Sequence, residues 1–178
     1  MARVTAQLTM RRVTADDQQL VERLWQYYRY DLSEFRDSYP DGEGLFTWHI
    51  LRDFFDEQAC AAQDLHAFLV FVDGRPAGFA MADGLPDGAR SVYAFFVTRA
   101  ARRTGVGRFA ASRLLAELPG RWQIGFQEEN PGAARFWRRL VADEFGDAWR
   151  EENRPVPGKP HLPHDVFILL DNSTAATA

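Results

Sequence analysis

The chain has 178 residues, of which 46% are hydrophobic and 26% charged, and its formal net charge is −4. This composition is typical of a folded globular protein and excludes a disordered one, and no apolar run approaches the roughly 20 residues that a membrane-spanning helix needs. The acidic balance, the single cysteine and the absence of a secretory signal predict a cytoplasmic protein with no nucleic-acid or membrane partner.

The first part of the chain predicts a strand followed by helices. Residues 9–13 have a short strand pattern, and Thr14 or Asp16 then supplies a helix cap. An apolar stripe at helical spacing runs from Leu20 to Leu32. After a break rich in glycine, residues 46–55 indicate a second helix.

From residue 65 the pattern changes to strands. Residues 65–72 and 76–82 flank Asp73-Gly74, a pair typical of a tight hairpin because both central turn positions need positive φ. Residues 91–97 follow as a third strand, and their nearly continuous apolar sequence indicates that both of its faces are covered.

The second half alternates helices with strands. Residues 105–118 are predicted to be helical, and residues 122–126 form the next strand. A strand, a helix and a strand in so few residues predict a parallel pair joined by a right-handed crossover. Pro131 opens another helix. Two closing strands are predicted at residues 148–152 and 165–170, in a single domain of residues 1–171 with a disordered tail of residues 172–178.

The loop of residues 102–108 carries the clearest functional signal. Gly105 and Gly107 stand in the first turn of a helix that follows an apolar strand, and arginines flank them. Free N–H groups and the helix dipole favour a diphosphate there, and glycine lets the backbone approach it closely. A tight turn with solvated arginines would give the same pattern. The loop lacks the Gly-Lys-Ser/Thr of a P-loop and the third glycine of a dinucleotide fingerprint.

Two motifs resemble those of the GNAT acetyltransferases. Residues 102–107 read R-x-x-G-x-G and are similar to the family signature R/Q-x-x-G-x-G/A. Residues 130–137 read N-x-x-A-x-x-F-W and resemble the family pattern N-x-x-A-x-x-F/L-Y. Residues 28–35 and 136–138 further resemble a bacterial subgroup of acetyltransferases. The resemblance covers residues 9–170 and follows the family order of strands and helices.

The resemblance implies an α/β (α+β) architecture, the GNAT fold. Its mixed central sheet has about seven strands flanked by about four helices, and two parallel strands splay apart to bind acetyl-CoA. It also implies that the backbone of Val97 pairs with the pantetheine arm and stabilises the oxyanion, and that Asn130 hydrogen-bonds this arm. The residues implied at the cofactor are Phe96, Val97, Arg102, Arg103, Thr104, Gly105, Val106, Gly107, Arg108, Asn130, Ala133, Phe136 and Trp137.

The chain departs from the family at two acid–base positions. Trp137 stands where the family commonly has the tyrosine that protonates the departing thiolate, and an indole N–H is not a usable acid. Ala94 stands where the subgroup often has a glutamate. Because a thiol has a pKa near ~8.5, its thiolate leaves without much help, and the loss of such assistance need not abolish turnover.

Carboxylates and tyrosines of the first helix would overlie the acceptor channel in this fold. An amine acceptor must lose a proton, and Glu128 or Glu129, after the fifth strand, are further candidate bases. Tyrosine and carboxylate side chains on a helix ordinarily lie solvated or half-buried at the surface without taking part in a site. The predicted catalytic residues are Glu34, Asp31 and Trp137, and the predicted substrate-binding residues are Tyr27, Tyr30, Asp31 and Glu128.

The sequence thus predicts an N-acetyltransferase that moves the acetyl group of acetyl-CoA to a primary amine of a small molecule or peptide. The alternative is a CoA-binding regulatory module with weak or no catalysis, which Trp137 and Ala94 favour. A nucleic-acid-associated protein using the arginine clusters is a third alternative, which the acidic net charge opposes. No metal is expected, because His161 and His164 lack a third ligand. The chain is expected to be a monomer or a homodimer.

Overall fold

The computed structural model describes residues 6–35, 38–156 and 161–173. In this part of the chain seven strands form one mixed sheet with flanking helices. The strands are β1 (Leu8–Arg12), β2 (His66–Val72), β3 (Arg75–Gly84), β4 (Arg90–Val97), β5 (Arg121–Phe126), β6 (Trp149–Arg154) and β7 (Asp165–Asp171). The helices are α1 (Gln18–Leu32), α2 (Glu57–Gln63), α3 (Val106–Glu117) and α4 (Pro131–Phe145), and Ala15–Asp17, His49–Phe55 and Arg99–Ala101 are 3-10 segments.

The strands lie in the order β1-β2-β3-β4-β5-β7-β6. β2 pairs antiparallel with β1 and β3, and β7 pairs antiparallel with β5 and β6. β4 and β5 pair in parallel, with Arg90 opposite Trp122 and Ser91 opposite Gln123. The mixed sheet and its parallel pair, both expected from the sequence, are confirmed.

The turn between β2 and β3 has the conformation that its sequence requires. Asp73 has φ 49° and Gly74 has φ 73°, so both central residues are left-handed. A backbone and a side-chain hydrogen bond also link Asp73 to Gln7, which precedes β1. The Asp-Gly hairpin prediction is therefore confirmed, and the hairpin fixes the register of β2 against β3.

The prediction of a helix at residues 46–55 is wrong in the type of helix. Residues before His49 are not helical, and His49–Phe55 is a 3-10 segment that buries Leu51 and Phe54. The true helix, α2, follows it and was not predicted. Its signal is Asp56, whose side chain accepts from the N–H of Ala59 as an N-cap.

By internal contacts the chain forms two compact units. The first comprises Met1–Asp83 and Tyr93–Leu114, and the second Gly84–Val92 and Leu115–Ala178. The expectation of a single domain stays a prediction. None of the described helices is both long and apolar enough to span a bilayer.

The first unit has apolar clusters on both faces of its part of the sheet. Ala94 and Phe96 pack in a cluster with buried side chains of α1, whereas Phe95 and Val97 pack in another with Val106 of α3. Successive side chains of a strand point to opposite faces, so α1 and α3 cover opposite sides of β4. This double covering explains the apolar sequence of β4.

In the second unit every second side chain of β5 and β7 is buried. Trp122, Ile124 and Phe126 of β5 are buried, and so are alternate residues of β7. The indole N–H of Trp122 donates to the carbonyl of Leu118, the residue after α3. This contact holds the start of β5 against the preceding turn.

Asn172 closes the second unit. Its side chain is only 5% exposed, donates to the carbonyl of Leu115 at 2.7 Å and accepts from the N–H of Gly120 at 2.7 Å. Its own N–H donates to the carbonyl of Gly120. The sequence assigned Asn172 to a disordered tail, which is wrong for this residue because it closes the turn before β5. Residues 174–178 of that tail lie outside the described residues.

Cys60 lies in α2 and is half-buried. Its thiol contacts the carbonyl of Asp53 at 3.4 Å. Burial raises the pKa of Cys60, and the nearby carboxylates of Asp56, Asp53 and Glu57 raise it further. The thiol is therefore held in its protonated form at neutral pH.

Candidate functional site

The predicted site residues fall in both units. The end of β4, the loop of residues 102–108 and the second half of α1 belong to the first unit. The second unit contains the remaining predicted residues, which are Glu128, Asn130, Ala133, Phe136 and Trp137.

The end of β4 is fixed by an unusually close approach of β3. A Cβ atom added to Gly78 would lie 2.0 Å from the carbonyl oxygen of Phe96. One residue away, the N–H of Thr98 donates to the carbonyl of Ala77 at 2.8 Å. Phe96 and Val97 are both buried. Gly78 therefore sets the path of the strand end, and sequence reasoning missed it because an isolated glycine in a strand gives no specific signal.

The loop after β4 combines two left-handed residues with an open flank. Its backbone is extended at Arg102, with φ −70°, and left-handed at Arg103, with φ 61°, and at Gly105, with φ 92°. No atom lies within 4 Å of the position that a Cβ of Gly105 would take. A non-glycine residue at positive φ is uncommon and concentrates at functional sites.

Contacts on both sides of the loop hold it in place. The hydroxyl of Thr104 donates to the carbonyl of Ala101 at 2.7 Å. On the other side Val106, at the start of α3, is buried among apolar side chains. The amino end of α3 is thus anchored while Gly105 is left accessible.

The arginines of this region contact Asp31 at the end of α1. Arg102 donates through Nε to the carbonyl of Val97 at 2.9 Å and through Nη2 to one carboxylate oxygen of Asp31. Arg99 donates through Nε and Nη2 to the other oxygen, at 3.1 and 2.8 Å. The hydrogen bond with Asp31 raises the pKa of Arg99. Both oxygens of Asp31 thus accept from guanidinium groups, which favours a positioning role over that of a general base.

The other α1 residues of the prediction are exposed. Tyr27 is 62% and Tyr30 65% exposed, and Glu34 lies in solvent just beyond the helix. Residues 38–41 and 45–48 line a groove of about 200 Å³ with Arg29. The exposed large hydrophobic side chains of the described chain all fall between residues 27 and 48 and are Tyr27, Tyr30, Tyr39, Leu45 and Trp48.

An aromatic cluster lies beneath α1. Trp25 stacks on Phe79 and Tyr93, with ring centroids 6.2 and 6.4 Å apart. The indole N–H of Trp48 donates to the hydroxyl of Tyr93. Burial raises the pKa of Tyr93 to about 12. Tyr93 is therefore neutral and poorly suited to act as a proton donor at neutral pH.

In the second unit Glu128 is engaged by an arginine. Arg138 donates to both oxygens of Glu128 and also to Glu151, and its guanidinium lies over the ring of Phe126 at 5.1 Å. The hydrogen bond from Arg138 lowers the pKa of Glu128. A lowered pKa makes this carboxylate a poorer base.

The second motif forms the amino end of α4. Asn130 is its N-cap, because its side-chain oxygen accepts from the N–H of Ala133 at 3.1 Å. Trp137 is 5% exposed and packs edge-on against Phe136 with centroids 4.9 Å apart. The capping role explains the spacing of Asn130 and Ala133 in the sequence.

A wider cavity of about 470 Å³ lies in the second unit and contains none of the predicted site residues. Strands β5, β6 and β7 line it together with the turn at Asp87 and Ala89. Its polar groups contact one another: Arg154 bonds Gln123 and Glu152, and Gln123 donates to Asp87. These side chains therefore hydrogen-bond to one another within the cavity wall.

A family model described as the acetyltransferase (GNAT) family matches residues 18–141, from α1 to α4. This chain belongs to the GNAT acetyltransferase family. No curated protein matches the sequence. The predicted family and enzyme class, an acyltransferase that uses acetyl-CoA, are confirmed at the level of the family.

Solved structures of GNAT enzymes share the fold. An acetyltransferase of Thermus thermophilus is 20% identical with a TM-score of 0.64, over 94% of this chain and 98% of the other. The Salmonella typhimurium protein yncA, solved with its cofactor acetyl-CoA, is 16% identical with a TM-score of 0.63, over 96% of both chains. The diaminobutyrate acetyltransferase of Paenibacillus lautus, solved with L-2,4-diaminobutyric acid and coenzyme A, is 13% identical with a TM-score of 0.65, over 93% and 96%. The expected GNAT fold is confirmed.

Proposed function

We propose that this GNAT protein transfers the acetyl group of acetyl-CoA to a primary amine, and that residues 102–108 hold the diphosphate of the donor. The observation that carries the proposal is the loop itself. Two left-handed residues, Arg103 and Gly105, precede an anchored helix, and the flank of Gly105 is open. Backbone turns of this kind present successive N–H groups to an anion.

The start of α3 adds to the attraction. The first four N–H groups of a helix have no partner within the helix, and the helix dipole places partial positive charge there. Residues 99–108 carry Arg99, Arg102, Arg103 and Arg108 and no carboxylate. Guanidinium groups pair with phosphate in a fork geometry that suits a diphosphate.

The contacts predicted for the second motif belong to the same proposal. Asn130, Ala133, Phe136 and Trp137 stand in the family pattern, and Asn130 has the capping geometry that keeps its side chain at the amino end of α4. When bound, acetyl-CoA supplies the activated acetyl group, and the residues of this chain position it and exclude competing water.

The acceptor is proposed to be a cationic amine of a small molecule or peptide. Tyr27 and Tyr30 expose aromatic faces that attract cations, and Glu34 adds a negative charge at the same end of α1. The structurally similar Paenibacillus lautus enzyme has L-2,4-diaminobutyric acid as its substrate, which supports an amine acceptor. Glu34 is the proposed base, because Asp31 and Glu128 are both engaged by arginines.

A CoA-binding module without catalysis remains the second candidate function. Ala94 and Trp137 occupy the two family acid–base positions, and both are buried. Such a protein would bind coenzyme A and release no thiol from acetyl-CoA with any amine. Thiol release therefore separates the two candidates.

Calorimetric titration of coenzyme A into the wild type and two glycine variants tests the loop. Gly105→Ala forces a side chain onto a residue with φ 92°, and Gly74→Ala does the same in the β2–β3 turn with φ 73°. Each has open space around the added Cβ, so the variants are matched in strain. We expect coenzyme A affinity to fall at least about tenfold in Gly105→Ala only.

Activity is then measured as thiol released from acetyl-CoA with a panel of diamines, amino acids and basic peptides. Release with any of them, lost in Gly105→Ala, supports the acetyltransferase. Binding without release from the whole panel supports the regulatory module. An unchanged affinity in a folded Gly105→Ala protein contradicts the assignment of the loop.

A further inference from the structure

Asp31 has an unfavourable position for a carboxylate. It lies in the last turn of α1, where the helix dipole is negative and repels a negative side chain. Its side chain is nevertheless only 18% exposed, and the guanidinium groups of Arg99 and Arg102 contact its carboxylate. Two of the four arginines between residues 99 and 108 thus pair with one acid from another element, which offsets one of their two positive charges.

The same contacts occupy the end of β4. Arg102 reaches Asp31 through Nη2 while its Nε donates to the carbonyl of Val97. The guanidinium is therefore held over the strand end and turned toward α1. A diphosphate that paired with Arg102 would have to take it from Asp31, or accept a carboxylate next to its own negative charge.

We propose that Asp31 competes with the diphosphate of the donor for Arg102, so that the carboxylate lowers donor affinity and joins donor binding to the end of α1. This inference rests on the proposed function of the loop. Arg99 and Arg102 are 69% and 42% exposed, and ion pairs at such exposure are weak. A diphosphate carries more charge and accepts bidentate hydrogen bonds, so it displaces the carboxylate. Asp31 is then a positioning residue that acts through Arg102.

The test is a double-mutant cycle read by calorimetric titration of coenzyme A and, separately, of inorganic pyrophosphate. Asp31→Asn keeps the shape and removes the charge, and we expect it to tighten coenzyme A about three- to tenfold, the range that two exposed ion pairs can supply. The affinity for pyrophosphate should rise by a similar factor. In an Arg102→Gln background the effect of Asp31→Asn should shrink, because the competition acts through that arginine.

Glu22→Gln is the matched control, since it removes the same charge from an earlier turn of α1, where Glu22 accepts from Gln18. It should leave coenzyme A affinity as in the wild type. A merely structural Asp31 would instead give a folded Asp31→Asn protein that binds coenzyme A equally or less tightly, and this overturns the inference. Failure of the wild type to bind coenzyme A overturns the proposed function and the inference with it.

Discussion

At position 78 the chain has no room for a side chain, and the obstacle is backbone. The carbonyl oxygen of Phe96 lies 2.0 Å from where a Cβ would stand, and backbone atoms of Phe96 and Val97 lie about as close as a normal contact allows at 3.0 and 3.1 Å. A flexible side chain could move away, whereas a strand end held by Thr98 and Ala77 cannot move without losing its hydrogen bond. The path of β4 beyond Phe96 thus depends on this glycine.

Gly78→Ala is therefore expected to destabilise the protein by about 2 kcal/mol or more, the cost of overpacking against a backbone. Urea unfolding measures the loss, and coenzyme A titration measures the displacement of the strand end. Gly125→Ala in β5 is the comparison, because its Cβ would meet only the ring of Phe167, at 3.1 Å, which can shift. Equal stability of the two variants would contradict the role given to Gly78.

Trp137 allows a test of the missing proton donor. Trp137→Phe and Trp137→Tyr are similar in size and differ by one hydroxyl. If the buried indole only packs against Phe136, thiol release in the phenylalanine variant should stay within about threefold of the wild type, less than the hundredfold or more of general acid catalysis. The tyrosine variant should be the faster of the pair. A large loss in Trp137→Phe, with the fold retained, would assign Trp137 a part in the reaction.

The sequence allowed Gly105 to be singled out but not Gly78. Gly105 stands in a local pattern of a strand, a loop and a helix start, and local patterns show which conformation a glycine must adopt. The need for Gly78 arises from β4, some 18 residues further along, and only the fold brings that backbone close. In the same way the sequence placed Asp31 near the acceptor but could not show that two arginines cover it.

At the scale of elements, the start of α1 is tied to β1 by a charged network. Arg11 at the end of β1 donates to both oxygens of Asp17, at 2.6 and 2.7 Å, and Thr14 donates to Asp17 through its N–H and hydroxyl. The sequence assigned the cap to Thr14 or Asp16, and the structure makes Thr14 the N-cap of the 3-10 segment Ala15–Asp17, in a capping box with Asp17, which is itself the N-cap of α1. The hydrogen bonds from Arg11, followed by those from Thr14, lower the pKa of Asp17.

This lowered pKa predicts the direction of an acid effect. A carboxylate whose folded pKa is depressed stabilises the fold above its unfolded pKa of about 3.9, and this stabilisation is lost as the pH falls toward the folded value. Asp17→Asn should cost about 2 kcal/mol at pH 7, and the difference from the wild type should narrow below pH 4. Urea unfolding at pH 7 and pH 3 gives both values. Asp16→Asn, at the exposed neighbouring position, serves as control, and a gap that widened in acid would refute the argument.

Most elements could be predicted, because their periodicity and punctuation are local. The helices α1, α3 and α4 and the seven strands follow from apolar spacing and from the Asp-Gly, Pro-Gly and Asn-Pro signals. The segment at residues 46–55 could not, because a 3-10 segment and an α-helix bury apolar side chains at similar spacing. The short helix α2 was missed because its residues bury too little to give a stripe.

At the scale of the whole molecule, the sheet order follows the chain except at its end, where β7 inserts between β5 and β6. This insertion makes β6 an outer strand, and its sequence suits that place. Four of its six residues are charged, and charged side chains protect an outer strand from pairing with another chain. Sequence periodicity gives the strands and their parallel pair, whereas the insertion of β7 could come only from the resemblance to a known fold.

The side-chain contacts of Asn172 predict a large effect from its substitution. Asn172→Ala leaves the carbonyl of Leu115 and the N–H of Gly120 without their side-chain partner. Unpaired buried groups cost about 1–3 kcal/mol each, so we expect a loss of at least about 2 kcal/mol in urea unfolding. Ser173→Ala, at the exposed neighbouring position, should cost far less. Equal effects would show that Asn172 contributes little.

The candidate site could be predicted where it is made of backbone and not where it depends on long-range pairing. Neighbouring residues in the sequence determine the loop of residues 102–108 and the cap at Asn130. The choice of base is not, because Asp31, Glu34 and Glu128 look alike in sequence. They differ in whether an arginine engages the carboxylate. The arginines that pair with Asp31 lie 68 and 71 residues away along the chain, and the one that pairs with Glu128 lies 10 residues away.

The half-buried thiol of Cys60 has a practical consequence for every experiment that follows released coenzyme A. Colorimetric thiol reagents react with the thiolate form. Cys60 is the single cysteine of the chain, and its surroundings keep its thiol protonated. The protein's own thiol should thus contribute almost no background to the assay of released coenzyme A. A cysteine introduced at an exposed position could also receive a fluorescent label selectively, without first removing the native one.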